Sequence, residues 1–161
     1  MTAPTPSQTV GPFFGFALPF DAGAEAVPVG SPGAVRIEGQ VFDGANDVVR
    51  DALLEAWHDD QFARCRTDEE GLFHLTVRKP IAGNGEAPFL KVMVFARGLL
   101  RHLPTRMYFP DEEDANASDR VLNRVDAARR HTLIAHSDGD VLRFDIHLQG
   151  ESETVFFELR S

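Results

Sequence analysis

From Val35 onward, apolar and polar residues alternate with a period of two along much of the chain. Val35, Ile37 and Val41 alternate with Arg36, Glu38 and Gln40. This is the pattern of a strand buried on one face, because successive side chains of extended backbone point to opposite sides. The turn residues Asp43-Gly44-Ala45-Asn46-Asp47 follow. A more continuously apolar run over 52–58 predicts a more fully buried strand, and 71–77 predicts a third after Asp68-Glu69-Glu70-Gly71. Leu90, Val92 and Val94 alternate with Lys91 and Met93 beyond Gly83-Asn84-Gly85, giving a fourth strand, and 104–109 gives a fifth. Runs over 132–136 and 141–149 flank Ser137-Asp138-Gly139-Asp140, a hairpin signal because Asp-Gly adopts tight turns readily. In the second run Phe144, Ile146 and Leu148 face one way, and Arg143, Asp145, His147 and Gln149 the other. Residues 154–159 predict a last strand.

Only 111–130 reads as helical, in one or two short pieces. About eight turn-punctuated strands predict an all-β chain, a β-sandwich with antiparallel or mixed sheets. Residues 1–33 differ from the rest: they hold six of the ten prolines, five glycines and only two charges, Asp21 and Glu25. Pro and Gly at that density oppose continuous helix or central strand. Yet Phe13, Phe14, Phe16 and Phe20 lie in the same stretch, and disordered tails are poor in aromatics. The expectation is an extended N-terminal arm lying on a surface, its own or a partner's, followed by a single core domain over 34–161. No internal repeat or low-complexity tract is visible.

A chain of 161 residues has room for one domain with a proper core. Sixteen Lys and Arg against twenty-five Asp and Glu give a net charge of −9, which excludes an electropositive nucleic-acid footprint. No apolar run approaches the roughly 18 residues of a membrane span, and no basic segment precedes an apolar one at the N-terminus. Neither a membrane span nor a secretory signal is expected. The single cysteine, Cys65, rules out an internal disulfide and a thiolate zinc site, and suits a reducing cytoplasm.

Several residues could carry chemistry, each with a plainer alternative. The six histidines contain no His-x-His pair, the spacing that would put two imidazoles on one face of a strand. Asp145 and His147 do share a face, and could form a carboxylate–imidazole site or simply a solvated strand surface. Asp111-Glu112-Glu113-Asp114 suits the positive end of a helix better than calcium binding, for which the loop spacing is wrong. Ser7 and Thr9 lack the context of a hydrolase nucleophile. Cys65 between Arg64 and Arg66 could have a lowered pKa. Arg97, in Phe95-Ala96-Arg97-Gly98, ends an apolar strand just before a glycine, where a planar guanidinium fork could hold a carboxylate. The residues alone leave a β-sandwich without an assigned role.

The opening Thr5-Pro6-Ser7-Gln8-Thr9-Val10-Gly11-Pro12-Phe13 resembles the N-terminal signature of the intradiol ring-cleaving dioxygenases. Further matches fall in order: Gly39-Gln40-Val41-Phe42-Asp43-Gly44, Leu54-Glu55-Ala56-Trp57, Ala87-Pro88, Phe95-Ala96-Arg97-Gly98-Leu99, Thr105-Arg106-Met107-Tyr108-Phe109 and Arg143-Phe144-Asp145-Ile146. The series ends at Gln149-Gly150-Glu151-Ser152-Glu153-Thr154-Val155-Phe156-Phe157, so the resemblance covers nearly the whole chain. The family's iron-bearing chains hold Fe(III) with two tyrosinates and two histidines. This chain has one tyrosine, and Phe89-Leu90-Lys91 stands where the His-x-His would fall. A benzyl ring and an ammonium cannot replace two imidazoles.

The resemblance therefore implies the non-iron chain of a heteromeric member, with no catalytic residue and no metal ligand of its own. Its partner would be a homologous iron-binding β chain carrying the Fe(III). Together they would open 3,4-dihydroxybenzoate with dioxygen to 3-carboxy-cis,cis-muconate. The same resemblance implies that Thr9, Gly11, Pro12, Phe13 and Arg97 border the substrate pocket, a small aromatic substrate lying at the interface. Against the family pattern the chain is shortened between Trp57 and Gly71 and before Val35, and Phe89-Leu90-Lys91 implies a plugged vestigial pocket. A freestanding β-sandwich binding module that has lost catalysis remains the alternative reading.

Overall fold

In the computed structural model, which describes Thr9, Gly11 and residues 13–158, nine strands form two sheets. They are β1 (Ala34–Phe42), β2 (Leu53–His58), β3 (Gln61–Arg66), β4 (Leu72–Arg78), β5 (Phe89–Phe95), β6 (Leu103–Tyr108), β7 (His136–Asp138), β8 (Val141–Arg143) and β9 (Ile146–His147). One sheet has the order β4-β1-β8-β7 with β9 also on β1, and the other the order β3-β2-β5-β6. β1 runs parallel to β8 and β9, and all other ladders are antiparallel. The fold is the expected mixed β-sandwich.

The period-two pattern places the core. Ile37, Val41, Phe73, Leu75, Val77, Phe144 and Ile146 of one sheet meet Leu54, Ala56, Ala63, Leu90, Val92, Val94 and Met107 of the other. A second, smaller core lies on the outer face of the four-stranded sheet. There Ala87, Phe89, Tyr108, Leu122 and Leu133 are covered by the helical segment, which comprises α2 (Glu113–Ser118) and two 3-10 turns (Leu122–Arg124 and Ala127–Leu133).

Four local expectations fail, each for an identifiable reason. The run over 141–149 is two strands, because Gly39 opposite it has no side chain. A Cβ there would lie 2.0 Å from the Phe144 carbonyl oxygen. That carbonyl occupies the space, the strand bulges, and the Asp145 carboxylate accepts the Gln40 N–H at 2.9 Å in place of a ladder carbonyl. The run over 132–136 ends a 3-10 turn instead of forming a strand, and β7 begins at His136. Residues 154–158 run extended without a ladder: the Thr132 hydroxyl accepts the Val155 N–H, the Thr105 hydroxyl donates to the Val155 carbonyl, and the Pro104 carbonyl accepts the Phe157 N–H. Residue 159 lies outside the described residues. The missed strand is β3, whose Gln-Phe-Ala-Arg-Cys-Arg text lacks clean alternation and joins β2 through a two-residue turn with Asp59 at φ 47°.

The arm lies partly on the chain's own surface. Thr76 N–H donates to the Ala24 carbonyl and the Ala26 N–H to the Thr76 carbonyl, while the Arg64 N–H donates to Gly23. These bonds occupy outward-facing groups of β4 and β3, the two strands that end the sheets on one side, and so cover exposed edges. One helical turn, α1 (Phe14–Ala17), interrupts the extended backbone.

Candidate functional site

Arg97 follows β5 by two residues, and its guanidinium Nε forms a salt bridge with Asp51 at the foot of β2. Its side chain is 66% exposed and borders a shallow depression with Asp43, Val48, Arg50, Gly98 and Leu148. The sheet register sets Arg66, Leu53 and Phe95 in one cross-strand row. The α1 turn packs on that same Arg66: a Cβ on Gly15 would lie 3.4 Å from its Nε, and the guanidinium stands 5.3 Å over the Phe16 ring. The arm's helical turn and Arg97 thus occupy one end of the four-stranded sheet, at least two strand spacings, or about 10 Å, apart.

The other arm residues are open to solvent. Thr9 is exposed, Phe13 is 77% exposed, and Pro12 lies outside the described residues. Gly11 has φ +81°, in the left-handed region that glycine tolerates, and nothing lies within 4 Å of where a Cβ would stand. The backbone here is thin and unobstructed. The Phe13 carbonyl accepts the Phe16 and Ala17 N–H groups, which fixes the start of α1.

A second feature occupies the outer face of the same sheet. Phe62, Trp57, Lys91 and Arg106 form one row across all four strands, each directly opposite the next. Beside Lys91 a cleft of about 310 Å³ opens, lined by His58, Asp59, Ile81, Glu86, Phe89, Arg106 and Arg120 among others. Phe89 packs with its ring 3.9 Å from the Arg106 guanidinium carbon and is also touched by His58 and Tyr108. Glu86 accepts from both Arg106 (3.1 Å) and Arg120 (3.0 and 3.1 Å). The expected plug is therefore partial: Phe89 fills the floor, while Lys91 stands at an open rim. Arg106, Glu86 and Asp119 were not singled out in the sequence. The signal was available, since Arg106 and Tyr108 share a strand face by their spacing.

Tyr108 is the only tyrosine of the chain and is fully buried. Its hydroxyl donates to Asp119 at 3.2 Å and accepts from Arg106 at 3.3 Å. Burial pushes the phenol up to about 12, with the Asp119 carboxylate adding to the rise against the opposing pull of Arg106. Asp119 also accepts the Val121, Leu122 and Ala87 N–H groups, so it ties β6 to the helical segment and the loop before β5.

The remaining candidates take structural roles. Asp145 receives the Gln40 N–H and the Arg143 guanidinium, and the His147 ring stacks on Phe42 at 4.8 Å. His131, His136 and His147 line one shallow cleft, but among the described residues no three His, Cys, Asp or Glu side chains are placed to hold a metal ion. Burial pushes the Cys65 thiol up, opposite to the lowering its arginine neighbours suggested. Strand alternation explains the reversal: Cys65 packs against the core, whereas Arg64 and Arg66 point to the outer face over Phe62 and Phe16. In the acidic run, Asp111 and Glu112 bind Lys79 at 2.7 and 2.5 Å, and Glu113 and Asp114 begin α2. Among the described residues no helix is long and apolar enough to cross a membrane.

A ferric ion of the intradiol type does not fit these residues. The sole phenol is a protonated hydrogen-bond donor inside the smaller core, and the histidine positions hold Phe89 and Lys91. No family model matches the chain. Curated relatives do. The protocatechuate 3,4-dioxygenase alpha chain of Burkholderia cepacia is 42% identical, covering 96% of this chain and 97% of the relative. The alpha chain of the same name from Pseudomonas putida is 38% identical, with 96% of each covered. Both alignments run over 192 residues against the 161 of this chain, so the relatives hold segments absent here. Among solved structures, the dioxygenase domain of a dioxygenase and carbohydrate-binding protein fusion from Streptomyces sp. SirexAA-E superposes with a TM-score of 0.64. It is 26% identical, and the match covers 92% of this chain and 99% of that one. With near end-to-end identity to the alpha chains and the same sandwich, the chain belongs to the protocatechuate 3,4-dioxygenase alpha-chain family of intradiol dioxygenases.

Proposed function

We propose that this chain is the non-iron subunit of a protocatechuate 3,4-dioxygenase. With a homologous iron-bearing β chain it completes a pocket at their interface, in the cytoplasm, for the intradiol cleavage of protocatechuate to 3-carboxy-cis,cis-muconate in aromatic compound catabolism. The observation that carries this reading is the alignment with alpha chains over 96% of the sequence, in a chain with one tyrosine and no His-x-His. The ferric ion, which supplies the activation of ring and dioxygen, belongs to the partner.

This chain's share is binding and orientation. Arg97 engages Asp51 through Nε, and its two Nη groups carry four further N–H donors that suit the ring carboxylate of protocatechuate. Its exposure leaves it reachable from a partner surface. Thr9, Gly11, Pro12 and Phe13 border the pocket, where the open backbone at Gly11 lets the arm approach a flat ring closely. Holding a substrate in one orientation lowers the barrier without any bond-making residue.

The test is co-expression with a homologue that carries two tyrosines and a His-x-His, followed by oxygen uptake on protocatechuate. Iron and activity should appear in the complex and be absent from the chain purified by itself. Turnover by the isolated chain, or a complex whose activity persists without it, overturns the assignment.

A further inference from the structure

We infer that the cleft beside Lys91 is a binding site for a small aromatic carboxylate. The argument starts from charge. Lys91 and Arg106 stand directly opposite each other on adjacent strands, on the same outward face. Like charges so placed destabilise a sheet. Arg106 is compensated by Glu86, but Glu86 also serves Arg120, so one carboxylate answers two guanidiniums. Asp59 contacts His58 at 3.3 Å, and among the described residues Lys91 makes no salt bridge. The lining thus holds Lys91, Arg106 and Arg120 against Glu86 and Asp59, a positive excess on a chain whose net charge is −9. A local surplus of cations in an acidic protein selects an anion.

Shape narrows the class. The floor is the Phe89 ring, fixed by Arg106 on one side and by His58 and Tyr108 at its edges. Ile81, 89% exposed, gives the wall a second apolar surface. At about 310 Å³ the cleft lies at the low end of the 300–1,000 Å³ typical of small-molecule sites, enough for one ring and no more. A flat apolar body bearing one carboxylate satisfies both halves: the carboxylate relieves the Lys91–Arg106 repulsion, and the ring covers Phe89 and Ile81. The inference is independent of the subunit assignment, because it concerns binding to this chain in the absence of iron and turnover.

Trp57, the only tryptophan, is directly opposite Lys91 and 42% exposed, so its fluorescence reports on the site. The purified 161-residue chain is titrated with benzoate, with phenol as the uncharged comparison, and the affinity is read independently by calorimetry. Benzoate should bind saturably and perturb Trp57, and phenol should not. Lys91→Met should weaken benzoate at least about tenfold, equivalent to about 1.4 kcal/mol, with unchanged circular dichroism because the residue is exposed. Arg36→Gln, a change of the same charge on the other sheet, should leave the affinity intact. Absence of saturable benzoate binding overturns the inference. So does binding that ignores Lys91→Met, binding equalled by phenol, or calorimetric binding without a change at Trp57.

Discussion

Replacing Asp119 by alanine should destabilise this protein by at least about 3 kcal/mol, a figure that follows from counting stranded donors. The Asp119 carboxylate is 1% exposed and accepts four hydrogen bonds, from the N–H groups of Ala87, Val121 and Leu122 and from the Tyr108 hydroxyl. Val121 lies nearer the surface and can turn to water. Ala87, Leu122 and Tyr108 are 4%, 2% and 0% exposed and cannot. A buried donor left without its partner costs about 1–3 kcal/mol, so three such donors set the lower bound. Against a total stability of about 5–15 kcal/mol this is a large fraction. Asp119→Asn keeps one acceptor oxygen but turns an amide toward the Ala87 N–H, and should cost only about 1–3 kcal/mol. Urea unfolding is the assay. With a slope of about 1–3 kcal/mol per molar, the alanine variant should lose 1 M or more in midpoint and the asparagine variant clearly less. An alanine midpoint within about 0.3 M of the parent would refute the count. If asparagine were as damaging as alanine, the carboxylate's charge rather than its geometry would be the operative feature.

Other expectations follow from the same reasoning. Gly39→Ala forces a Cβ to 2.0 Å from the Phe144 carbonyl oxygen and 2.7 Å from the Phe73 ring. Because backbone cannot step aside, the thermal midpoint should fall steeply, by more than the roughly 1–3 kcal/mol typical of overpacking, and trimming Phe73 should not restore it. The single tyrosine makes phenol ionisation readable by ultraviolet difference absorbance, and the folded chain should titrate near 12 against 10.0 for a free phenol. A folded value above the unfolded one means the unfolded state releases its proton first. Stability from Tyr108 should therefore be complete below pH 10 and be lost as pH climbs through about 12. A titration midpoint at 10 would show the phenol to be solvated. Arg97→Ala in the assembled enzyme should lower kcat/KM for protocatechuate by about 1.5–3 kcal/mol, the scale of a charge-assisted hydrogen bond. It should leave unfolding within about 1 kcal/mol, since exposed ion pairs contribute little. An unchanged kcat/KM removes Arg97 from the pocket.

The order of the strands' apolar faces was legible in the sequence, because one buried face imposes a period of two whatever the partners are. Ile37 and Val41, or Leu90, Val92 and Val94, announce their inward side without reference to the rest of the fold. The incapacity to bind ferric iron as the family does was equally legible, since a chain with one tyrosine and no His-x-His lacks the donors under any folding. Pairing, in contrast, belongs to the tertiary structure. That Gly39 admits the Phe144 carbonyl, and that Asp145 then replaces a ladder acceptor, depends on two segments over a hundred residues apart meeting in register. The Phe62, Trp57, Lys91 and Arg106 row exists only once four strands align, although each residue was visible alone. Cys65 was misjudged for the same reason: its arginine neighbours adjoin it in sequence but face away from it in space, and burial, which a local string does not encode, decided its chemistry.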